Sequence, residues 1–484
     1  MLELDGTTLT YEVFRATCLR PNRPAIIRNA CRDASDGICF DLAALKRRLC
    51  PRELCRSLGS RALVPVYPVF STVQVASYDS TPAARVERLH EPPTTVKDEE
   101  REEDEEGCCK EVPLEVVLRS WATSASAAAC SLSQPHVYYL KDWHLQATLE
   151  NTATTAITTA SSTPSSQRSE YAKRRASGTH GDGLYRVPKF LGADWMDSFC
   201  SRNVMPSHDV HNRTSPADDT GTRAHMGFGD SESDYRFCYM GPVGSWTPLH
   251  CDVFGTYSWS FNVCGDKHWF FPTMAGNAYL HTHLLPLFPT PSDIRVLTGF
   301  ELDTVVQHPG DLVFVPALFY HQVHNISGEV LPLFVDEGVA TEEVRRRDGT
   351  VMSFASAEVN VQLSAALTVA LNHNWCNAFN VGRMAAAFLA DARQLSSHLS
   401  TDDLAVICDT HDPAVWRRFA DRMLHNGTNW SFASMNCFLD YCLARLDLGA
   451  DVTDGTEDER NAAADELRRL RVRVADEYAR LFEE

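Results

Sequence analysis

The sequence contains no run of about 20 apolar residues, the length a helix needs to cross a bilayer, so no membrane span is expected. Its first residues, MLELDGTTLTYEVF, lack the basic flank and apolar stretch of a secretory signal, and none is read there. Basic charge is in deficit. Lys and Arg number 45 against 64 Asp and Glu, a formal net charge of -19. That balance argues against broad affinity for nucleic acid or acidic membranes and leaves room only for a local basic patch. The 16 cysteines lack a repeating CxxC spacing. They read as reduced thiols of a cytoplasmic protein, with the nucleus also open, rather than as a disulfide framework. No internal repeat is present.

What is present is enough apolar material, 44% of 484 residues, for a large core and one to three domains. Residues 62–75 are rich in β-branched and aromatic side chains and predict strand, interrupted by Pro65 and Pro68. The block KDEEREEDEE at 97–106 reads as a solvated loop, with capture of a basic partner as the sharper alternative. Residues 147–182 combine a Ser/Thr/Ala tract with the basic stretch YAKRRASGTHGD and predict a flexible insertion. Residues 204–231 predict another polar loop. From 234 onward, YRFCYM, YSWSFNV and KHWFFP are separated by Gly and Pro turns, and further strands are expected near 303–306, 311–315, 322–324 and 363–371. After Trp375 the pattern becomes helical. The resulting expectation is a mainly β protein with added helices, its core a double-stranded β-helix of the cupin or jelly-roll kind. The organisation expected is an N-terminal part of the catalytic unit over 1–146, the insertion at 147–182, the β core over 183–380 with a protruding insertion at 327–360, and a helical region over 381–484.

The chemistry concentrates in two segments. GSWTPLHCDVF carries His250 and Asp252 two residues apart, and on a strand such residues share a face while Cys251 points away. GDLVFVPALFYHQVHN carries His321, sixty-nine residues beyond Asp252, and His324. A lone His-x-Asp is weak evidence, since most histidines are hydrogen-bonded surface or core groups. Paired with a returning histidine and with Lys267 between them, it describes two nitrogens and one oxygen around an iron(II) with open positions, the ligand set of an oxygenase. Zinc is the competing metal, with Cys251 and Cys264 as its candidate thiolates.

Residues 234–271 and 308–325 resemble the jumonji-C family of iron(II) and 2-oxoglutarate oxygenases. The resemblance extends through LRPNRPAIIRNA (19–30), VYYLKDWHL (137–145), YRVPKFLGADWMDSF (185–199), YRFCYMGPVGSWTPLHCDVFGTYSWSFNVCG (235–265) and LNHNWCNAFN (371–380). Together these are similar to the branch of the family that hydroxylates a lysyl residue of the eukaryotic translation-termination factor.

The resemblance implies an iron triad of His250, Asp252 and His321, catalytic and metal-ligating alike, with His324 off the metal. It implies Lys267 as the anchor for the distal carboxylate of 2-oxoglutarate, with Thr247 and Tyr139 helping to hold it and Asn374 a polar group near it. Each has a plainer alternative, as an exposed strand lysine or as packed, hydrogen-bonded strand residues. The implied reaction consumes 2-oxoglutarate and O2, releases succinate and carbon dioxide, and hydroxylates C4 of a lysyl residue in a protein partner. A lysine demethylase acting on histones, or a catalytically silent interaction protein, are the other readings.

Overall fold

The computed structural model describes residues 1–34, 37–69, 109–127, 137–158, 183–202, 235–284, 293–338, 341–345, 351–355, 359–447 and 456–482. The acidic block at 97–106, the polar loop at 204–231 and the basic stretch YAKRRASG lie outside these residues. Its first strands are β1 (Leu2–Asp5), β2 (Ala25–Arg28), β3 (Arg32–Asp33), β4 (Gly37–Ile38), β5 (Leu63–Val69), β6 (Lys110–Pro113) and β7 (Val137–Trp143). The middle of the chain supplies β8 (Arg236–Pro242), β9 (Trp246–His250), β10 (Tyr257–Cys264), β11 (Asp266–Pro272), β12 (Leu302–Gln307), β13 (Leu312–Val315) and β14 (His321–Ser327). Then come β15 (Glu329–Gly338), β16 (Thr341–Arg345), β17 (Val351–Ala355) and β18 (Val359–Trp375).

Two sheets carry the architecture. The larger runs β1-β2-β13-β10-β18-β8-β7-β5-β6, with β15 pairing β18 beside that path; the smaller runs β12-β11-β14-β9. Strand β10 (YSWSFNVC) is buried at every residue, because it lies in the middle of the large sheet with both faces covered. The sheets pack face to face. Ile26, Val313 and Val315 of the large sheet share one apolar cluster with Trp269, Phe271 and Val323 of the small one. This clamp brings the two candidate segments together, since β9 and β14 are neighbours in the small sheet while β7, β8 and β10 lie in the large one.

A second core forms from helices at Trp195–Arg202, Val381–His398, Pro413–Thr428, Phe432–Asp447 and Glu457–Arg480. The last shows why. Thr456 and Glu459 form a reciprocal capping box, and Ala464, Leu467, Leu470 and Val474, spaced three and four apart, are its buried stripe.

Three expectations change. The double-stranded β-helix is not what forms. Among the described residues neither sheet closes: β1 and β6 bound the large one, β12 and β9 the small one, and helical residues exceed strand residues, so the fold is mixed α/β. Alternating patterns and Gly/Pro turns report strand content; whether the outermost strands bond to each other depends on long-range pairing that local sequence does not express. The tract beginning at 147 is helical over Leu145–Thr158, consistent with its alanine content, and its remainder lies outside the described residues. The segment 327–360 is ordered in large part as strand. β15 and β18 pair over a long antiparallel ladder, and β16 pairs β17 beyond it.

Candidate metal centre

His250 ends β9 and His321 begins β14, and the two are directly opposed in the ladder. Asp252 follows β9 in an extended conformation (φ -64°, ψ 149°) ahead of a tight turn at Val253–Gly255. One ligand atom from each of His250, Asp252 and His321 can be chosen so that all lie within 4.8 Å of one another. The imidazole rings are 4.1 Å apart, and Trp269 and Phe271 stack on His321.

The hydrogen bonds prepare these groups as ligands. His250 Nδ1 lies 2.8 Å from the Pro248 carbonyl and His321 Nδ1 3.0 Å from that of Phe319. A carbonyl only accepts, so each Nδ1 carries the proton and each Nε2 keeps its lone pair for a cation. Burial, then the neighbouring His321, then Lys141, hold the His250 pKa well below its ordinary value, so this imidazole is neutral and able to ligate. Ser258 of β10 donates to Asp252 Oδ2 at 2.5 Å and fixes the carboxylate from the opposite sheet.

His324 is excluded by the same logic. The Gln322 amide reaches its Nε2 at 2.6 Å and occupies the lone pair, and its ring stacks on Trp246 at 5.1 Å. His321→Ala is therefore expected to remove measurable iron(II) affinity, whereas His324→Ala leaves it within about tenfold, the low end for loss of an outer partner. Anaerobic iron titration of both variants checks this, and equal losses would break the assignment. The cysteines do not join the cluster. Burial pushes the Cys251 thiol up, and Cys264 donates to the Leu367 carbonyl within the core.

The four residues expected at the co-substrate lie on strands of both sheets: Thr247 on β9 and Lys267 on β11 of the small one, Tyr139 on β7 and Asn374 on β18 of the large one. Lys267 of β11 is buried, with its ammonium 5.7 Å from the ring of Tyr239 and 5.9 Å from that of Trp269; among the described residues no ion pair or hydrogen bond to it is found. Burial pushes its pKa down to about 7. Cys238, also pushed up by burial to about 12, remains a neutral thiol and offers no counter-charge. A buried cation without an anion is costly, and a ligand carboxylate is the group that would satisfy it. Tyr139 of β7 is buried with its hydroxyl toward Thr247 and Asn325 of the small sheet; burial outweighs these hydrogen bonds and raises its pKa. Gly241 permits this placement, since a Cβ there would meet the Tyr139 ring at 2.6 Å. Asn374 lies on β18. It opposes Ser258 across β10 and β18 and donates its amide to Thr256 Oγ1 at 3.1 Å, on the carboxylate-ligand side.

Ser258, Asn325 and Tyr239 were not singled out from the sequence. All three lie inside the motif segments, but only strand pairing turns them toward the site. The donor set fits iron(II) chemistry: two imidazole nitrogens, one carboxylate oxygen, no thiolate, and an orphaned cation beside them.

Two histidines and one carboxylate set between two sheets form the donor set that non-haem iron oxygenases use. Residues 237–329 match the family described as "JmjC domain, hydroxylase". The chain is similar to the Arabidopsis thaliana protein named arginine-specific demethylase JMJ20 (28% identity, covering 49% of this chain and 41% of that one). It is also similar to the human protein named 2-oxoglutarate and iron-dependent oxygenase JMJD4 (34%; 42% and 35%) and its Danio rerio counterpart (25%; 62% and 49%). The matched part thus spans about a third to a half of the length of these relatives. Among the described residues, no helix is long and apolar enough to cross a membrane.

Proposed function

We propose that the chain is an iron(II)- and 2-oxoglutarate-dependent protein hydroxylase acting on a lysyl side chain, with the translation-termination factor as partner and C4 of the lysine as target. The observation that carries the cofactor assignment is the buried Lys267 ammonium, without an ion pair among the described residues and packed near Trp269, whose ring stacks on His321 of the His-Asp-His set. The lysyl target and the partner rest on the resemblance carried by residues 137–145, 235–265 and 371–380; similarity to proteins named 2-oxoglutarate and iron-dependent oxygenases supports the co-substrate.

In this reading His250, Asp252 and His321 hold the metal. Iron(II) with 2-oxoglutarate and O2 supplies the oxidation, in which the co-substrate loses carbon dioxide to become succinate and one oxygen atom enters a C–H bond of the target. The chain's own groups set the geometry. Lys267 receives the distal carboxylate as a charge-assisted partner, and the Tyr139 and Thr247 hydroxyls donate beside it. Trp246, Trp269 and Phe271 wall the site against water. Ser258 keeps Asp252 in its ligating pose. Asn374 supports that side through its amide bond to Thr256.

The test is purified protein with the termination factor, iron(II), ascorbate and 2-oxoglutarate, read by peptide mass analysis. The expected result is one added oxygen on a lysine. Similarity to a protein named an arginine-specific demethylase supports a second outcome, loss of a methyl group from a methylated peptide with no oxygen retained. Absence of both changes, with no succinate formed, rejects the oxygenase reading.

A further inference from the structure

Strand β7 is irregular where it passes the metal site. Its ladder to β8 pairs Leu140 with Met240 and then Trp143 with Cys238. Two residues, Lys141 and Asp142, therefore oppose the single Tyr239, which is a β-bulge. Asp142 sits at φ +56°, a conformation that a non-glycine residue adopts only when its surroundings hold it there. Bulges re-aim side chains, and this one turns two consecutive residues toward the same neighbours. Lys141 Nζ lies 4.6 Å over the Tyr67 ring. Asp142 accepts from the Tyr67 hydroxyl at 2.9 Å and from the Tyr239 hydroxyl at 2.6 Å.

The charges around this bulge are divided. Lys141 acts electrostatically on both His250 and Lys267, so positive charge lines the co-substrate side. Asp142 has neutral hydroxyl donors and no ion-pair partner among the described residues. One hydroxyl on each carboxylate oxygen leaves acceptor capacity on both. The Tyr239 ring, whose hydroxyl Asp142 holds, lies 5.7 Å from the Lys267 ammonium, which sets Asp142 one side chain away from the co-substrate anchor. Tyr67, Lys141, Asp142 and Tyr239 are all half-buried, so the group is braced without being sealed.

We infer that Asp142, braced by Tyr67 and Tyr239 on the β7 bulge, receives the cationic end of the target side chain and sets the enzyme's preference for it. The inference rests on the protein-hydroxylase reading and adds the residue that selects the side chain. A lysyl ammonium on Asp142 leaves C4 three bonds away along the chain toward the metal. With Asp252 given to the metal and Lys267 to the co-substrate carboxylate in this reading, Asp142 is the carboxylate of this group left to receive the ammonium. A guanidinium shares the chemistry, and the test separates the two.

The experiment uses the full chain loaded with iron(II) and 2-oxoglutarate, and peptides of the termination factor spanning the oxidised lysine. Three peptides differ only at the target, carrying lysine, norleucine or arginine. The readout is the ratio of kcat/KM for lysine over norleucine, which cancels any general loss of fold or metal. The wild type is expected to favour lysine by about a hundredfold, and Asp142→Asn to lower that ratio at least about tenfold, mainly through KM. Tyr67→Phe, which removes one brace and keeps the carboxylate, should give a smaller drop. Arginine used in preference to lysine keeps Asp142 as the cation site and makes guanidinium its occupant. An unchanged ratio in Asp142→Asn, whatever the absolute rate, overturns the assignment while the hydroxylase reading stands. A wild type that oxidises none of the peptides overturns both.

Discussion

Asp252→Ala is expected to abolish target oxidation and succinate formation together and to weaken iron(II) binding by more than the roughly 10–100-fold that loss of an outer partner costs. Asp252 is the only anion in the donor set. His250 and His321 present neutral Nε2 lone pairs because their Nδ1 protons are committed to the Pro248 and Phe319 carbonyls. Without the carboxylate, two neutral imidazoles face a hard dication with no protein charge to offset its desolvation. Ser258→Ala should do less, because it frees the carboxylate's orientation while leaving its charge. Anaerobic iron titration and succinate release, measured on both variants, give the comparison. An Asp252→Ala protein that binds iron within a few-fold of wild type would remove Asp252 from the metal.

Lys267→Met is expected to weaken 2-oxoglutarate binding by about 2–5 kcal/mol, roughly 30-fold to several-thousand-fold, with iron(II) affinity little changed. The same variant should make the co-substrate-free protein more stable at neutral pH, because it removes a buried charge that nothing in the described protein neutralises. The pH dependence has a definite sign. Lys267 has its folded-state pKa lowered to about 7 from an ordinary 10.5. Below 7 both the folded and unfolded states carry the proton, and the burial cost is felt in full. Between 7 and 10.5 the unfolded state binds more protons, so stability rises with pH by up to about 1.4 kcal/mol per unit from this group. Co-substrate affinity runs the other way. The dianion needs the ammonium, so above pH 7 binding takes up a proton and weakens by up to about tenfold per unit. Calorimetry at pH 8 in buffers of different ionisation enthalpy reads that proton directly. No net uptake, together with unchanged affinity in Lys267→Met, would demote Lys267 to a packing residue.

Much of the site was legible because strand geometry is local. His250 and Asp252 are two apart with the chain extended between them, so a shared ion followed from spacing alone. The choice of His321 over His324 came from the resemblance, and three-residue spacing on a strand agrees with it; the Gln322 amide on His324 Nε2 is the physical reason. The grouping of Lys267, Thr247 and Tyr139 also came through resemblance, since their positions span 128 residues and two sheets. Asn374 lies within the same resemblance, but its amide is committed to Thr256, a partner no local pattern indicates.

Periodicity by itself determined that the centre of the chain forms strands and that its C-terminal part forms helices. The aromatic run in KHWFFP and the three- and four-residue spacing of Leu467, Leu470 and Val474 are properties of consecutive residues. Tertiary structure alone decided three things. It left both sheets open, because closure depends on whether β1 and β6, or β12 and β9, can bond as edges. It left Lys267 without an anion, because a side chain's partners are set by what packs over it rather than by its neighbours in sequence. And it turned Lys141 and Asp142 toward the same site through one extra residue in β7, a register event that a period-two pattern would have placed on opposite faces.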